Sequence, residues 1–268
     1  NLATGPDGML YVTGRYRNKG DSRTGLASGS RGLELAVFRS EDQGQSLQKV
    51  VSFDKQALSG GGQTVLSIEG TALRFTPSGC ELYVSTEKEQ VGYPDQLERY
   101  LKPGTGVWSI DRLRAPTIEQ LIGASIESIL ISSRPETIHV KDPFLYESRS
   151  GPMLFFCSHP FSWTCSGTGY LELNQPGSRT AASDQAVYDF FPRGNVWDVA
   201  MSRGTCVIDV PRVGAFADQD MQLMFYDGGE CVREHEQHAD SVYRPRGHSC
   251  EELGGAAVIE KADWRNAT

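Results

Sequence analysis

Four short apolar segments recur along the chain at nearly constant spacing. They are Met9-Leu10-Tyr11-Val12, Glu81-Leu82-Tyr83-Val84, Met153-Leu154-Phe155-Phe156 and Gln222-Leu223-Met224-Phe225, and their leucines lie 72, 72 and 69 residues apart. A turn signal precedes each one: Asp7-Gly8, Ser78-Gly79, Ser150-Gly151 and Asp218-Gln219-Asp220. Gly and Asx supply the left-handed backbone that a tight hairpin requires. A further strand follows in every repeat, at Leu35–Phe38, Gly106–Ser109, Tyr170–Leu173 and Ala256–Ile259, and the first repeat adds Gln48–Phe53. Serial units of four antiparallel strands are the blades of a β-propeller, whereas a sandwich supplies no reason for a long-period echo.

The expected fold is therefore all-β, a β-propeller with four-stranded blades. One domain, residues 1–268, divides into repeats at approximately 1–64, 65–135, 136–205 and 206–268. Four repeats nearly exhaust the chain. A fifth would bring it to about 340 residues, within the usual range of blade numbers. The reading is a five-bladed propeller with about four blades in this chain; a closed four-bladed ring is the alternative. The chain opens at Asn1 without an initiator Met or a leader and reads as a fragment, so secretion or a periplasmic location is an expectation that its ends do not decide. Pro116–Ile122 suits either a short helix or the outer edge of a blade.

Composition narrows the function. Lys and Arg number 26 against 34 Asp and Glu, a net charge of −8, and an acidic chain lacks the basic face that nucleic acid needs. No apolar run reaches the roughly 20 residues of a membrane span. Gly 29 and Pro 13 together exceed the average share, which favours many short elements over long helices.

In a propeller the inner strands converge on a central channel, and the loops joining second to third strands lie on the face where inner strands begin. Binding residues concentrate on such loops. The expected inner strands carry polar groups at that end: Ser67–Leu73 with Glu69, His139–Leu145 with His139 and Asp142, and Asp209–Gly214 with Arg212. Aligned on their turns, Glu69, Asp142 and Arg212 fall within one or two positions of each other. Carboxylates facing each other across a channel equip a site for glycoside hydrolysis, with one donating a proton and the other attacking or activating water. The plainer reading is that these acids bond strand ends or pair with Arg212.

The mouth loops, Thr13–Thr24 and Asp227–Glu252, mix Arg, acids and aromatics. Arg15, Asp21, Arg23 and Arg233 join His139 and Arg212 as candidate sugar-binding groups, because the arginine fork matches carboxylates and paired oxygens. Glu230, directly after a second strand, is a third candidate acid. His235-Glu236-Gln237-His238, with His248 and Cys250 nearby, matches no strong zinc pattern, so no metal and no other cofactor is expected. Cys157 with Cys165, and Cys231 with Cys250, flank mouth loops and would staple them in a secreted protein; buried reduced thiols are the alternative.

Two motifs carry a resemblance. Ser40–Leu47 resembles the Asp-box of sialidase-type propellers, with Leu47 in place of its Trp; in that family the motif is a structural hairpin. Lys141-Asp142-Pro143, at the start of an inner strand, resembles the five-bladed propeller glycosidases of the arabinanase, xylosidase and invertase type. That resemblance implies that Asp142 orients the acid or stabilises the transition state, and that Glu69 or Glu230 donates the proton. The first inner strand of that family brings a further Asp, at a place preceding Asn1 here. The implied function is a glycoside hydrolase acting on an oligo- or polysaccharide. Its rivals are a sialidase-like enzyme whose arginines (Arg15, Arg23, Arg212, Arg233) clamp a carboxylate, and a non-catalytic propeller that binds glycan or protein.

Overall fold

The computed structural model describes residues 1–16, 31–101, 103–148, 151–173, 182–230 and 253–260. Among the described residues, fifteen strands make up four antiparallel sheets in chain order. The first holds β1 (Leu2–Thr4), β2 (Leu10–Tyr16), β3 (Glu34–Ser40) and β4 (Gln48–Asp54). The second holds β5 (Val65–Thr76), β6 (Gly79–Lys88), β7 (Val107–Ala115) and β8 (Glu127–Leu130). In the third are β9 (His139–Ser148), β10 (Gly151–His159), β11 (Gly167–Glu172) and β12 (Val187–Phe191), and in the fourth β13 (Met201–Asp209), β14 (Met221–Gly229) and β15 (Leu253–Glu260). The four recurring leucines all lie in second strands, β2, β6, β10 and β14. Pro116–Ile122 contributes one turn of 3-10 helix, Glu119–Leu121.

The sheets stack face to face, so interior strands are apolar on both sides. On β6, Leu82 and Val84 pack with Leu35, Val37 and Phe53 of the first sheet, while Tyr83 turns the other way into a core with Leu154, Phe156 and Leu171 of the third. On β10, Phe155 faces the fourth sheet and meets Val207, Met224 and Ile259. The inner strands β1, β5, β9 and β13 each contact the next. This is the radial stacking of a propeller, in which alternate residues of one strand serve two inter-blade cores.

Tight turns drive the hairpins. Between β5 and β6, Gly79 has φ +140, and a Cβ there would lie 2.1 Å from the Ala115 carbonyl oxygen. Only glycine fits. Between β3 and β4, Asp42 organises the Ser40–Leu47 turn. Its carboxylate accepts from the Ser40 hydroxyl (2.8 Å), the Ser46 amide (2.8 Å) and the Ser46 hydroxyl (2.6 Å), and Ser40 Oγ accepts from the Gly44 amide at 2.7 Å. Leu47 is exposed.

The fourth inner strand differs from expectation. It is Met201–Asp209, so the boundary expected at 205/206 falls inside it, and Arg212 lies beyond its end. The connection from β13 to β14 runs from Val210 to Asp220 and includes a 3-10 turn, whereas Pro77-Ser78 suffice between β5 and β6. Alignment from the turn backward counts this longer loop as strand. Arg212 is therefore at the opposite end of the strand from the channel mouth, pairing with Asp220 at 3.2 Å.

Candidate functional site

A cavity of about 320 Å³ opens at the axis, lined from all four sheets by Arg15, Glu69, Asp142, Thr205 and their neighbours. One irregularity recurs along its wall. The pairing of β5 with β6 slips between Ile68 and Thr71, that of β9 with β10 opposite Asp142-Pro143, and that of β13 with β14 between Gly204 and Cys206. Each is a one-residue bulge, which kinks the strand and re-aims side chains. The bulges turn Glu69, Asp142 and Thr205 toward the axis.

Asp142 is held tightly. Its φ of +53 is a left-handed conformation that costs a non-glycine residue about 1–3 kcal/mol, and such strain persists only where the surroundings impose it. Its amide donates to Ser85 Oγ at 2.8 Å, and the Gly70 amide donates to its Oδ1 at 3.1 Å. A Cβ at Gly70 would sit 2.5 Å from that oxygen and 2.6 Å from the Asp142 Cα. The glycine next to Glu69 thus lets two blades touch.

Glu69 and Asp142, expected to share the axis, do so, and a cation lies between them. Lys141 Nζ is 2.6 Å from Glu69 Oε2 and 3.6 Å from Asp142 Oδ2, while Arg15 Nη1 is 2.9 Å from Glu69 Oε1. Burial opposes the charge on Glu69, but Lys141 and Arg15 outweigh it and hold the pKa down at about 2. Burial likewise opposes the Lys141 ammonium, and Glu69 and Asp142 outweigh that and raise its pKa. A carboxylate held at about 2 is ionised near neutral pH, which fits the part of proton donor expected for Glu69 poorly. Lys141 was missed as a site residue. It stands 72 residues after Glu69, one repeat period, and that equality was the available signal.

His139 is not at the cavity surface. It is buried at the start of β9, where Nδ1 accepts from the Trp108 amide at 3.3 Å and Nε2 meets the Tyr93 hydroxyl at 2.6 Å. With Nδ1 accepting, the network assigns the proton to Nε2, and Tyr93 donates onward to the Phe161 carbonyl at 3.1 Å. Burial first, then Lys141, brings its pKa down to about 3, so the ring is neutral. It supports the site from behind rather than touching a ligand.

Glu230 is exposed and follows β14 directly on the mouth side. Asp21, Arg23 and Arg233 lie outside the described residues, as do Cys231, Cys250 and the His235–His238 segment. Of the four arginines expected to clamp a carboxylate, Arg15 lines the cavity and is already engaged by Glu69; Arg212 is remote. The Cys157–Cys165 staple does not form, and both are free thiols, with burial pushing Cys157 up to about 12. Cys157 points into the packed interior instead of toward the loop. Among the described residues no group of His, Cys, Asp and Glu is arranged to hold a metal, and no helix is long and apolar enough to cross a membrane.

No family model matches the sequence, and no curated protein sequence matches it. Solved structures do. An α-L-arabinofuranosidase from Lactobacillus brevis aligns with TM-score 0.55 at 9% identity, covering 97% of this chain and 66% of its own. A second structure, described as a glycoside hydrolase, aligns with TM-score 0.52 at 12% identity, covering 100% of this chain and 72% of its own. The chain thus spans about two thirds of the length of the structures it matches. At these identities the likeness is one of fold, and the chain has the β-propeller fold of glycoside hydrolases.

Proposed function

We propose that the chain is the greater part of a glycoside hydrolase whose reacting bond lies over the axial cavity. The observation that carries this reading is the meeting of Glu69 and Asp142, from consecutive blades, on one cavity wall. Glycoside hydrolysis passes through an oxocarbenium-like transition state, and carboxylates beside the anomeric carbon stabilise its positive charge. Glu69, kept ionised by Lys141 and Arg15, suits that part or the activation of water. Asp142, fixed by the Gly70 amide, positions the partner acid. Glu230, an exposed acid that follows β14 directly at the mouth, is the remaining candidate proton donor. A pair that works as acid and base needs environments that separate its two pKa values. The substrate class is an oligo- or polysaccharide.

The test is sugar release from a panel of aryl glycosides, α-L-arabinofuranosides included, and from plant polysaccharides. Glu69→Gln, Asp142→Asn and Glu230→Gln are each expected to lower kcat by about a hundredfold or more, the usual size of an acid–base contribution, with the fold intact by circular dichroism. Unchanged turnover in all three, or no turnover by the parent protein, overturns the reading.

One observation favours a second reading. Two cations on one carboxylate more than offset its charge, which suits a non-catalytic glycan-binding propeller better than a nucleophile. In that case the parent protein binds oligosaccharides without cleaving them.

A further inference from the structure

A bulge breaks the strand ladder locally, so an amide at or beside it needs an acceptor from elsewhere. At the three bulges of the axial wall that acceptor comes from the preceding blade. The Ile68 amide donates to the Gly32 carbonyl at 3.1 Å, the Asp142 amide to Ser85 Oγ at 2.8 Å and the Gly204 amide to Thr168 Oγ1 at 2.7 Å. The first acceptor is main chain. Gly32 has φ +51, and a Cβ there would overlap the Ile68 amide nitrogen, so only glycine brings its carbonyl close enough. The other two acceptors are side-chain hydroxyls. Ser85 lies two residues after Tyr83 on β6, on the face turned to the third sheet. Thr168 lies two residues before Tyr170 on β11, on the face turned to the fourth. Both are fully buried beside apolar clusters. A hydroxyl in such a place is costly unless it is hydrogen-bonded, and an apolar side chain would serve the core better. Thr168 also donates to the Ser202 carbonyl at 2.8 Å, which leaves its oxygen to accept from Gly204.

We propose that Ser85 and Thr168 are positioning residues of the axial site: each hydroxyl, from one blade, holds the inner-strand bulge of the next and so sets where Asp142 and Thr205 stand; this rests on the function proposed above. Asp142 is the sensitive case. Its left-handed backbone, φ +53, is disfavoured and persists only while its neighbours impose it. Ser85 grips its amide and the Gly70 amide grips its Oδ1 at 3.1 Å, so the second blade fixes both its backbone and its carboxylate. Without the Ser85 hydroxyl the amide loses its acceptor, the backbone relaxes and the carboxylate swings out of line. A displacement of about 1 Å at a reacting group can cost about a hundredfold in rate. The fall belongs in kcat rather than KM, because Ser85 is sealed from the cavity and its loss removes no contact to a sugar. Thr168 acts in the same way on Gly204 and, through it, on Thr205, which lines the cavity.

The experiment compares Ser85→Ala with the parent protein, as the full chain, in two readouts. Amide hydrogen exchange, followed by NMR on protein labelled with nitrogen-15 aspartate, reports the latch itself. Exchange at Asp142 is expected to quicken about tenfold or more, while Asp111 and Asp227, on the interior strands β7 and β14, keep their rates. Thr168→Val, which keeps the shape of the side chain, should quicken Gly204 in glycine-labelled protein to a similar degree. Turnover reports the consequence, on whichever glycoside the parent protein cleaves. For Ser85→Ala kcat is expected to fall about tenfold to a hundredfold with KM within about threefold. Ser109→Ala removes another fully buried hydroxyl of the same sheet, one that donates to the Thr86 carbonyl at 3.3 Å, and is expected to leave kcat unchanged. Unchanged exchange at Asp142, or exchange quickened equally at Asp111 and Asp227, overturns the proposal, as does a fall in kcat no larger than that of Ser109→Ala. If the parent protein cleaves nothing, selective exchange at Asp142 still upholds the latch and only the hydrolase falls.

Discussion

Gly70 shows how one missing methyl group sets the site. Gly70→Ala would drive a Cβ against the Asp142 backbone, which cannot swing away as a side-chain tip can. The expected cost is about 1–3 kcal/mol by chemical denaturation, with a matching fall in activity because Asp142 is displaced. Charge at the same place gives a pH signature. The Glu69 pKa is depressed from 4.5 to about 2, so its contribution to stability is complete above about pH 4.5 and is lost as pH falls from there toward 2. His139, depressed from 6.5 to about 3, acts in the same direction from a higher starting pH, since below 6.5 the unfolded chain takes up a proton that the folded one refuses. Urea midpoints measured from pH 7 to pH 3 should fall for the parent protein and fall less steeply below pH 4.5 for Glu69→Gln. Parallel curves would contradict the pairing. The acids of this site were legible because polar residues at the head of an apolar strand stand out. Their neutralisation was not, because nothing local in Ser67–Leu73 says that Arg15 and Lys141 arrive from two other blades.

Strands were the most legible elements, since apolar residues and turn signals alternate on a short scale that tertiary context reinforces. The fourth inner strand was misplaced because Val210–Asp220 is a loop with strand-like valines, and counting back from the next turn reads those valines as strand although Pro211, Arg212 and Gly214 follow the end of β13 at Asp209. The bulges were invisible: a bulge is a mismatch between two strands, and one sequence segment records only its own half. Burial divides the fourth sheet unequally. Met224 is fully buried against the third sheet, whereas Ile208, Phe225 and Val258 are exposed on the other face. Met224→Ala is expected to cost about 2–5 kcal/mol, and Val258→Thr to change stability by no more than about 0.5 kcal/mol. Comparable losses from the two substitutions would mean that both faces of this sheet are covered.

At the scale of the molecule, the period of about 72 residues was the most informative quantity in the chain, because radial stacking turns distance along the sequence into proximity around an axis. It accounts for how Glu69, Lys141 and Asp142 come into contact. The cores agree with it, since each inner sheet packs against one neighbour on either side. The direct test is a double-mutant cycle on stability between Glu69→Gln and Lys141→Met. Side chains in contact should show a coupling of about 1 kcal/mol or more, whereas residues on separate parts of the surface should add within about 0.3–0.5 kcal/mol. A clear coupling energy is the predicted result; additive losses would contradict the axial meeting of successive blades.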